Sequence, residues 1–464
     1  MPSETPVLGS PPTPSAVAVG RRWSTRRVVL CVTAAFLLVL GAGGLYLYLG
    51  CQAAARRFSQ HVEEVVSAAE ADDRLGNPDD DAGPLYREAL ALYVPCPVKL
   101  NEASDEQISA YMAANRGCLE KLREAAGRPR CLLGPPLSAG IIKSDPDRVD
   151  LVPLLVFQKF MILERAQQGR AEGAIDLLPV IMAFARHAAW DGDVMEDQTL
   201  VEKIAAKAYA QVLSGSKVDV AALKRALGHL ARHRASRCSP AVAARRIGVR
   251  QMILWDALNR LGSEAASTPD GPRGLRRRAD DLWIRYSGAM LKVARASESF
   301  HQEVTAVLDR ADPYPAALDA IPELSGRRRR DLPEGVVLGF DSSVAPYHKM
   351  AKADAEGLAY LEMLRVLMLC RLYRLSWGDF PDSLGDLTLK LPEEAKGRFG
   401  DPFTGRSLGY TRTDKGCRVW SAGPDRTDDG GTVPQQQAGK SLTPSSPRRR
   451  SRQDPSDLVL ELSD

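Results

Sequence analysis

The sequence predicts a mainly α protein: a single membrane-spanning helix, a helical hairpin or bundle region, and a small C-terminal α+β module with a short antiparallel sheet. Three observations carry that prediction. Residues 28–49 form an apolar run with no charged side chain. Residues 52–320 repeat apolar side chains at three- and four-residue intervals, the period of a helix face. After Phe340 the composition shifts toward Asp, Gly and Pro, with short β-prone runs between turns.

The chain is 464 residues long, and its 62 basic against 58 acidic residues leave a net charge of +4. A balance that even gives no argument for nucleic acid as a partner. Residues 1–27 begin with a Pro-, Ser- and Thr-rich stretch that has little to bury and reads as a disordered cytoplasmic tail. The apolar run follows. At a rise of 1.5 Å per residue, 28–49 covers about 33 Å, enough for a bilayer core of about 30 Å. Arg21, Arg22, Arg26 and Arg27 precede it against Arg56 and Arg57 after it, a bias that puts the N-terminus in the cytoplasm and the bulk of the chain outside the cytoplasmic membrane. A cleaved signal peptide would have a shorter apolar region. Leu49-Gly50-Cys51 partly matches a lipoprotein processing site, with Tyr48 where that motif usually has Leu.

The helical region, 52–320, opens on Phe58, Val62, Val65, Val66 and Ala69, an amphipathic stripe. Asn77 to Asp81 breaks it, and Leu85, Ala89 and Leu92 resume it. Ser104-Asp105-Glu106-Gln107 has the spacing of a capping box. Leu154 to Ile162, then Leu177 to Trp190, then Leu200 to Val212, then Leu223 to Leu230 behind an Asp219 N-cap, give four helices with short connections, hence antiparallel neighbours. The junction at Gly169 to Ala174 is similar to a tetratricopeptide turn, but no fixed 34-residue repeat emerges. Ala241 to Leu308 is helical again, and a linker at 321–345 carries the basic run Arg327 to Arg330. Among the cysteines, Cys96, Cys118 and Cys131 are the expected place for a disulfide.

Catalytic signatures are few. His229 and His233 stand four apart on one helix, but no Glu follows His229 and the neighbours Arg225, Arg232 and Arg234 would repel a cation. His301-Gln302-Glu303 has the H-x-E of zinc deaminases without its P-C-x-x-C partner. The triplet Asp79 to Asp81 lacks the spaced ligands of a calcium loop. No nucleophile elbow or phosphate loop occurs. The sequence therefore names no catalytic residue, and we expect no enzyme.

The C-terminal module, 346–432, begins on a helix expected over Asp354 to Leu375, whose stripe is Leu358, Leu361, Leu364, Met368, Leu372 and Leu375. Leu408 to Arg412 and Cys417 to Ser421 flank Asp414-Lys415-Gly416 and predict a hairpin. The combination of Gly378-Asp379-Phe380-Pro381, Leu384, Leu387, Asp401-Pro402-Phe403, Gly405, Leu408, Tyr410, Trp420, Ser421, Gly423, Asp425, Gly430 and Gly431 resembles the globular head of the type II secretion major pseudopilins, as found at the end of bacterial membrane-anchored envelope proteins. The resemblance covers about 75 residues. It departs from that family at the N-terminus, where no prepilin-peptidase site precedes the apolar run. The family's acidic loop binds calcium. The resemblance carries only Asp425 over; Asp428 and Asp429 are further oxygen donors nearby, and a hydrated Asp/Gly turn is the other reading. From 433 to 464 the Gln-, Ser- and Arg-rich chain reads as a disordered tail. The functional expectation is a membrane-anchored extracytoplasmic scaffold that binds protein partners. An accessory component of a type II secretion or pilus-like system, docking through the module, is the alternative; an envelope hydrolase ranks behind both.

Overall fold

The computed structural model describes residues 25–74, 77–96, 103–132, 150–189, 195–215, 217–264, 289–310, 314–332, 337–390, 399–432 and 457–463. The chain divides into two compact units, Met1–Ala54 and Ala55–Asp464. Its helices are α1 (Thr25–Arg74), α2 (Gly83–Leu92), α3 (Asp105–Ala114), α4 (Arg116–Ala126), α5 (Val152–Gln167), α6 (Ala171–Ile175), α7 (Leu178–Ala188), α8 (Met195–Gly215), α9 (Val220–Ser236), α10 (Pro240–Glu264), α11 (Ala289–Leu308), α12 (Ala316–Arg330), α13 (Val337–Trp377) and α14 (Leu384–Lys390). Three strands, β1 (Gly409–Thr413), β2 (Gly416–Ser421) and β3 (Leu458–Ser463), form one antiparallel sheet in the order β1-β2-β3.

The expected membrane crossing is corrected here. Among the described residues no helix is long and apolar enough to cross a membrane. The reading of a single-pass membrane protein with its bulk outside the cytoplasmic membrane falls with it. The physical reason is continuity. Residues 28–49 are not a closed apolar element but part of a 50-residue helix. That helix runs without a break into the charged, amphipathic stretch containing Arg57, Glu63 and Glu64.

Local signals elsewhere meet their elements. Ser104 accepts from the Gln107 N–H and the Gln107 side chain returns to the Ser104 N–H, a complete capping box at α3. The Asp219 carboxylate caps α9 through the Ala222 N–H. Gly169 ends the α5 turn with a φ of 72°, a conformation that glycine adopts without strain. Asp81, expected in a solvated turn, instead accepts from the N–H groups of Gly83 and Leu132 and pins the start of α2 to a distant segment.

Two hydrophobic cores fill the second unit. One gathers α2, α4 to α9, the sheet and the second half of α13, with Tyr86, Phe157, Ile162, Phe184 and Tyr209 at its centre. The other gathers Phe58, Val62 and Val66 of α1 with α10, α11, α12 and the first half of α13. The 41-residue helix α13 therefore lies in both, changing from the second core to the first between Ala359 and Tyr360. It extends well beyond the expected 354–375 because Pro346 is accommodated inside it.

Two expected boundaries do not separate. The linker at 321–345 is largely helix, since α12 runs to Arg330 and α13 starts at Val337. The basic run is the last turn of α12, where cations oppose the negative end of the helix dipole. Arg327 pairs with Glu323, Arg328 with Glu303 and Arg329 with Asp341. At the C-terminus, 433–456 lies outside the described residues, but 458–463 is strand rather than disordered tail. Its alternation buries Leu460 and Leu462 while Glu461 pairs with Arg418 on the other face. Among the described residues Cys96, Cys118, Cys131, Cys238, Cys370 and Cys417 form no disulfide, so the expected bridge among the first three is not made.

A fragment limited to 346–432 lacks β3 and the helices that share its core. We expect it to show no cooperative melting by calorimetry, whereas the full chain does. A fragment that melts cooperatively at the full chain's temperature would contradict this packing.

Candidate functional site

The densest group of ionisable side chains lies where α8, α9 and α13 meet, at the changeover between the two cores. Amphipathic packing places Glu202 on the buried face of α8 and His233 on that of α9, and Arg237 follows immediately as the C-cap residue. Asp354 comes from α13. The Arg237 Nε–H and Nη2 donate to the two oxygens of Glu202 at 2.7 and 2.8 Å, a bidentate fork, and Nη1 donates to Asp354. His233 Nε2 meets Glu202 Oε1 at 2.9 Å, and the Gln198 amide donates to the same oxygen at 3.1 Å. Thr199 donates to the Ala353 carbonyl at 2.7 Å, fixing α8 against α13 beside the group.

Gly357 lets the helices approach this closely. A Cβ there would stand 2.2 Å from Glu202 Oε2 and 2.6 Å from Arg237 Nη2. The side chains of Glu202, Asp354 and Arg237 are 0%, 1% and 5% exposed, so the group is closed to solvent.

Two carboxylates share one guanidinium, and the charges divide unequally. Burial works to raise Glu202, but Arg237 and His233 outweigh it and hold the carboxyl down at about 2. Burial raises Asp354 above its ordinary value, with Arg237 only partly offsetting it and the Glu202 charge adding to the rise. Asp354 is thus the member of the group whose charged form burial disfavours most. His233 Nδ1 and Gln198 Oε1 are buried without partners among the described residues, while the Tyr314 hydroxyl approaches Asp354 and works to lower its carboxyl. Unpartnered buried atoms cost on the order of 1–3 kcal/mol each. Glu202 and His233 form an acid–base pair in outline, but the guanidinium occupies the carboxylate and no substrate can reach the imidazole. The arrangement ties three helices together.

The histidine pair of the sequence is not brought together at a metal. His233 faces Glu202, whereas His229 receives Arg232 at 2.8 Å. His301 and Glu303 also separate: Glu303 pairs with Arg328, while His301 Nδ1 lies 3.1 Å from the Tyr347 hydroxyl. His301 packs into a small hollow against Gly248, Trp255, Ser297 and Phe300, and burial pushes its imidazole down to about 4.

The acidic loop after β2 is closed by its own hydrogen bonds. Asp425 accepts from the Thr427 N–H at 3.0 Å. Asp428 accepts from the Trp420 indole at 2.8 Å and from the Gly430 N–H at 2.9 Å. The N–H groups of Asp429 and Gly431 donate to Asp457, at the entry to β3. Burial raises the Asp457 carboxyl against these hydrogen bonds, and the charges of Asp429 and Asp428 raise it further. The expected calcium donors Asp425 and Asp428 are therefore turned to separate donors. Among the described residues no three His, Cys, Asp or Glu side chains are grouped to hold a metal ion.

Sequence reading missed Asp401 and Asp457 as organising groups. Buried Asp401 accepts from the Phe403 N–H, the Thr404 and Ser421 hydroxyls and the Ala422 N–H, joining the Asp-Pro-Phe turn to the end of β2. The Asp401-Pro402 pair carried a turn signal, but only the fold supplies its distant donors. Compared with known proteins, the chain matches no family model, no curated protein and no solved structure.

Removing the guanidinium should leave two buried carboxylates uncompensated. For Arg237→Met we expect a loss of about 3–5 kcal/mol in urea unfolding. The wild-type pH dependence has a defined sign. A carboxyl depressed in the folded state stabilises above its unfolded value, and that gain disappears as pH falls. The Glu202 contribution is accordingly complete above its ordinary 4.5 and is lost toward about 2. Glu202→Gln should flatten the stability profile across that window. An unchanged acid limb would show that the Glu202 charge is not held by Arg237.

Proposed function

We propose that this chain is a non-enzymatic interaction scaffold whose helical body and C-terminal module are presented to protein partners as one rigid piece. The observation that supports this reading is the shared core. Helix α13 passes from one core into the other without a linker, and β2 and β3 pack in the same core as α5, α7 and α8. The module's orientation is thus set by the body. The dense ionisable group among the described residues is sealed between helices, which suits a structural role better than turnover. At the module end, Leu375 and Trp377 on α13 and Leu389 on α14 are 44%, 47% and 80% exposed. Trp is among the side chains enriched at interface anchors.

A second reading, supported by the spacing from Gly378 to Gly431, is an accessory component of a type II secretion or pilus-like system docking through the module. Calcium at Asp425, Asp428 and Asp429 belongs to that reading, and it would require the loop to exchange its present hydrogen bonds for the ion.

Photo-cross-linkers placed at Trp377 and at Leu389 test both readings. The scaffold reading expects a discrete protein adduct in cells that is lost on Leu375→Ser. A pseudopilin in that adduct would support the second reading. The absence of any specific adduct from either position would overturn the scaffold reading.

A further inference from the structure

The hollow beside His301 lies among α10, α11 and the first half of α13, and residues of all three helices line it. Gly248 on α10 makes room for the imidazole, since a Cβ there would stand 2.3 Å from His301 Nδ1. The Tyr347 hydroxyl of α13 lies 3.1 Å from the same nitrogen. Three helices of the second core therefore meet around one small space.

Two polar atoms belonging to its lining residues have no partner among the described residues. They are Trp255 Nε1 on α10 and Ser297 Oγ on α11. Trp255 and Ser297 are 7% and 8% exposed, so bulk solvent does not serve them. A serine inside a helix can return its hydroxyl to the carbonyl one turn back, but Ser297 makes no such bond. A buried indole N–H and a buried hydroxyl left unbonded each cost free energy, and native folds nearly always supply them a partner.

The size and chemistry of the hollow narrow down that partner. Its volume is about 10 Å³, close to the least that a single ordered water requires. A larger ligand would have to displace side chains of the core. The indole only donates, so the occupant must accept, whereas the hydroxyl can do either. An anion would meet the carboxylate of Glu298, which lines the same space and lies 2.8 Å from His61 Nε2. A cation would face the donating edge of the indole. His301 adds no charge near neutral pH, because burial pushes its imidazole down to about 4. Water meets every one of these conditions, and polar lining is what separates a hydrated hollow from a dry one.

We propose that this hollow is a binding site for one structural water, which accepts from the Trp255 indole, shares a hydrogen bond with the Ser297 hydroxyl and so bridges α10 to α11. The water fixes the spacing of the two helices at a point where these side chains do not bond each other. It is taken up as the second core closes, and it is as much a part of that core as the side chains around it.

The test uses the full chain with isotope-labelled tryptophan and nuclear magnetic resonance. Trp255→Phe identifies the Trp255 indole by the signal that disappears. The proposal expects that indole proton to show cross-relaxation with water, of the sign given by a molecule that stays bound for longer than the protein takes to tumble. Ser297→Ala keeps the indole but removes the second anchor, and it should lose most of that signal and melt at a lower temperature. Exchange of the Ser297 hydroxyl with solvent could mimic the cross-relaxation, so a crystal structure of the wild-type chain supplies the deciding arm. It should show one solvent peak about 2.7–3.2 Å from both Trp255 Nε1 and Ser297 Oγ. Both wild-type measurements stand even where a variant fails to fold. Absence of the cross-relaxation, a dry hollow in the crystal, or protein groups bonded to both atoms would overturn the proposal.

Discussion

Arg237 stands between two buried carboxylates, Glu202 on α8 and Asp354 on α13, and the changeover between the two cores is built around that contact. The guanidinium can satisfy both because its donors form a fixed planar fork. The cost of burying the charges is met only while all members are present. This explains why Gly357 faces the group: any side chain there would displace either Glu202 or Arg237. A buried ion group of this kind adds little net stability over an apolar replacement, but losing one member leaves an uncompensated charge. Its effect is to fix how α8, α9 and α13 meet.

Helix α13 turns that local constraint into a global one. Phe340, Tyr347 and Met350 on its first half pack with α10 to α12, and Leu361 to Tyr373 on its second half pack with the sheet and α8. The Asp-Pro-Phe turn adds a second tie between the module and the helical body. Phe403 belongs to the core of α10 to α12, although Phe399 and Leu408 on either side of it belong to the other core. Asp401 and Asp457 then close the module's loops with backbone hydrogen bonds.

Much of this was legible locally. The Ser104 box, the Asp219 cap and the hairpin around Lys415 rest on neighbours within a few residues, and the structure has each of them. Strand β3 was hidden because its six alternating residues follow a long Arg- and Ser-rich stretch, whose composition outweighs them in any window. The first half of α13 was hidden by Pro346 and by polar residues that face α12. The ion group was not legible at all. Glu202 and Asp354 are far apart in sequence, and Arg237 stands among several similar arginines that are exposed. The span at 28–49 shows the converse failure, where a strong local signal was read as a closed element although the helix containing it continues. The orientation of the acidic loop was likewise not legible, since Trp420 and the loop's own N–H groups set it.

The central claim is that the two cores open together because α13 and the Arg237 group join them. Native-state hydrogen exchange read by mass spectrometry tests it directly, by comparing amides of 340–359 with amides of 360–373. The account predicts that both stretches open with the same free energy and the same denaturant dependence in the wild-type chain. Opening of 360–373 with the sheet at a distinctly lower free energy, while 340–359 stays protected, would contradict it.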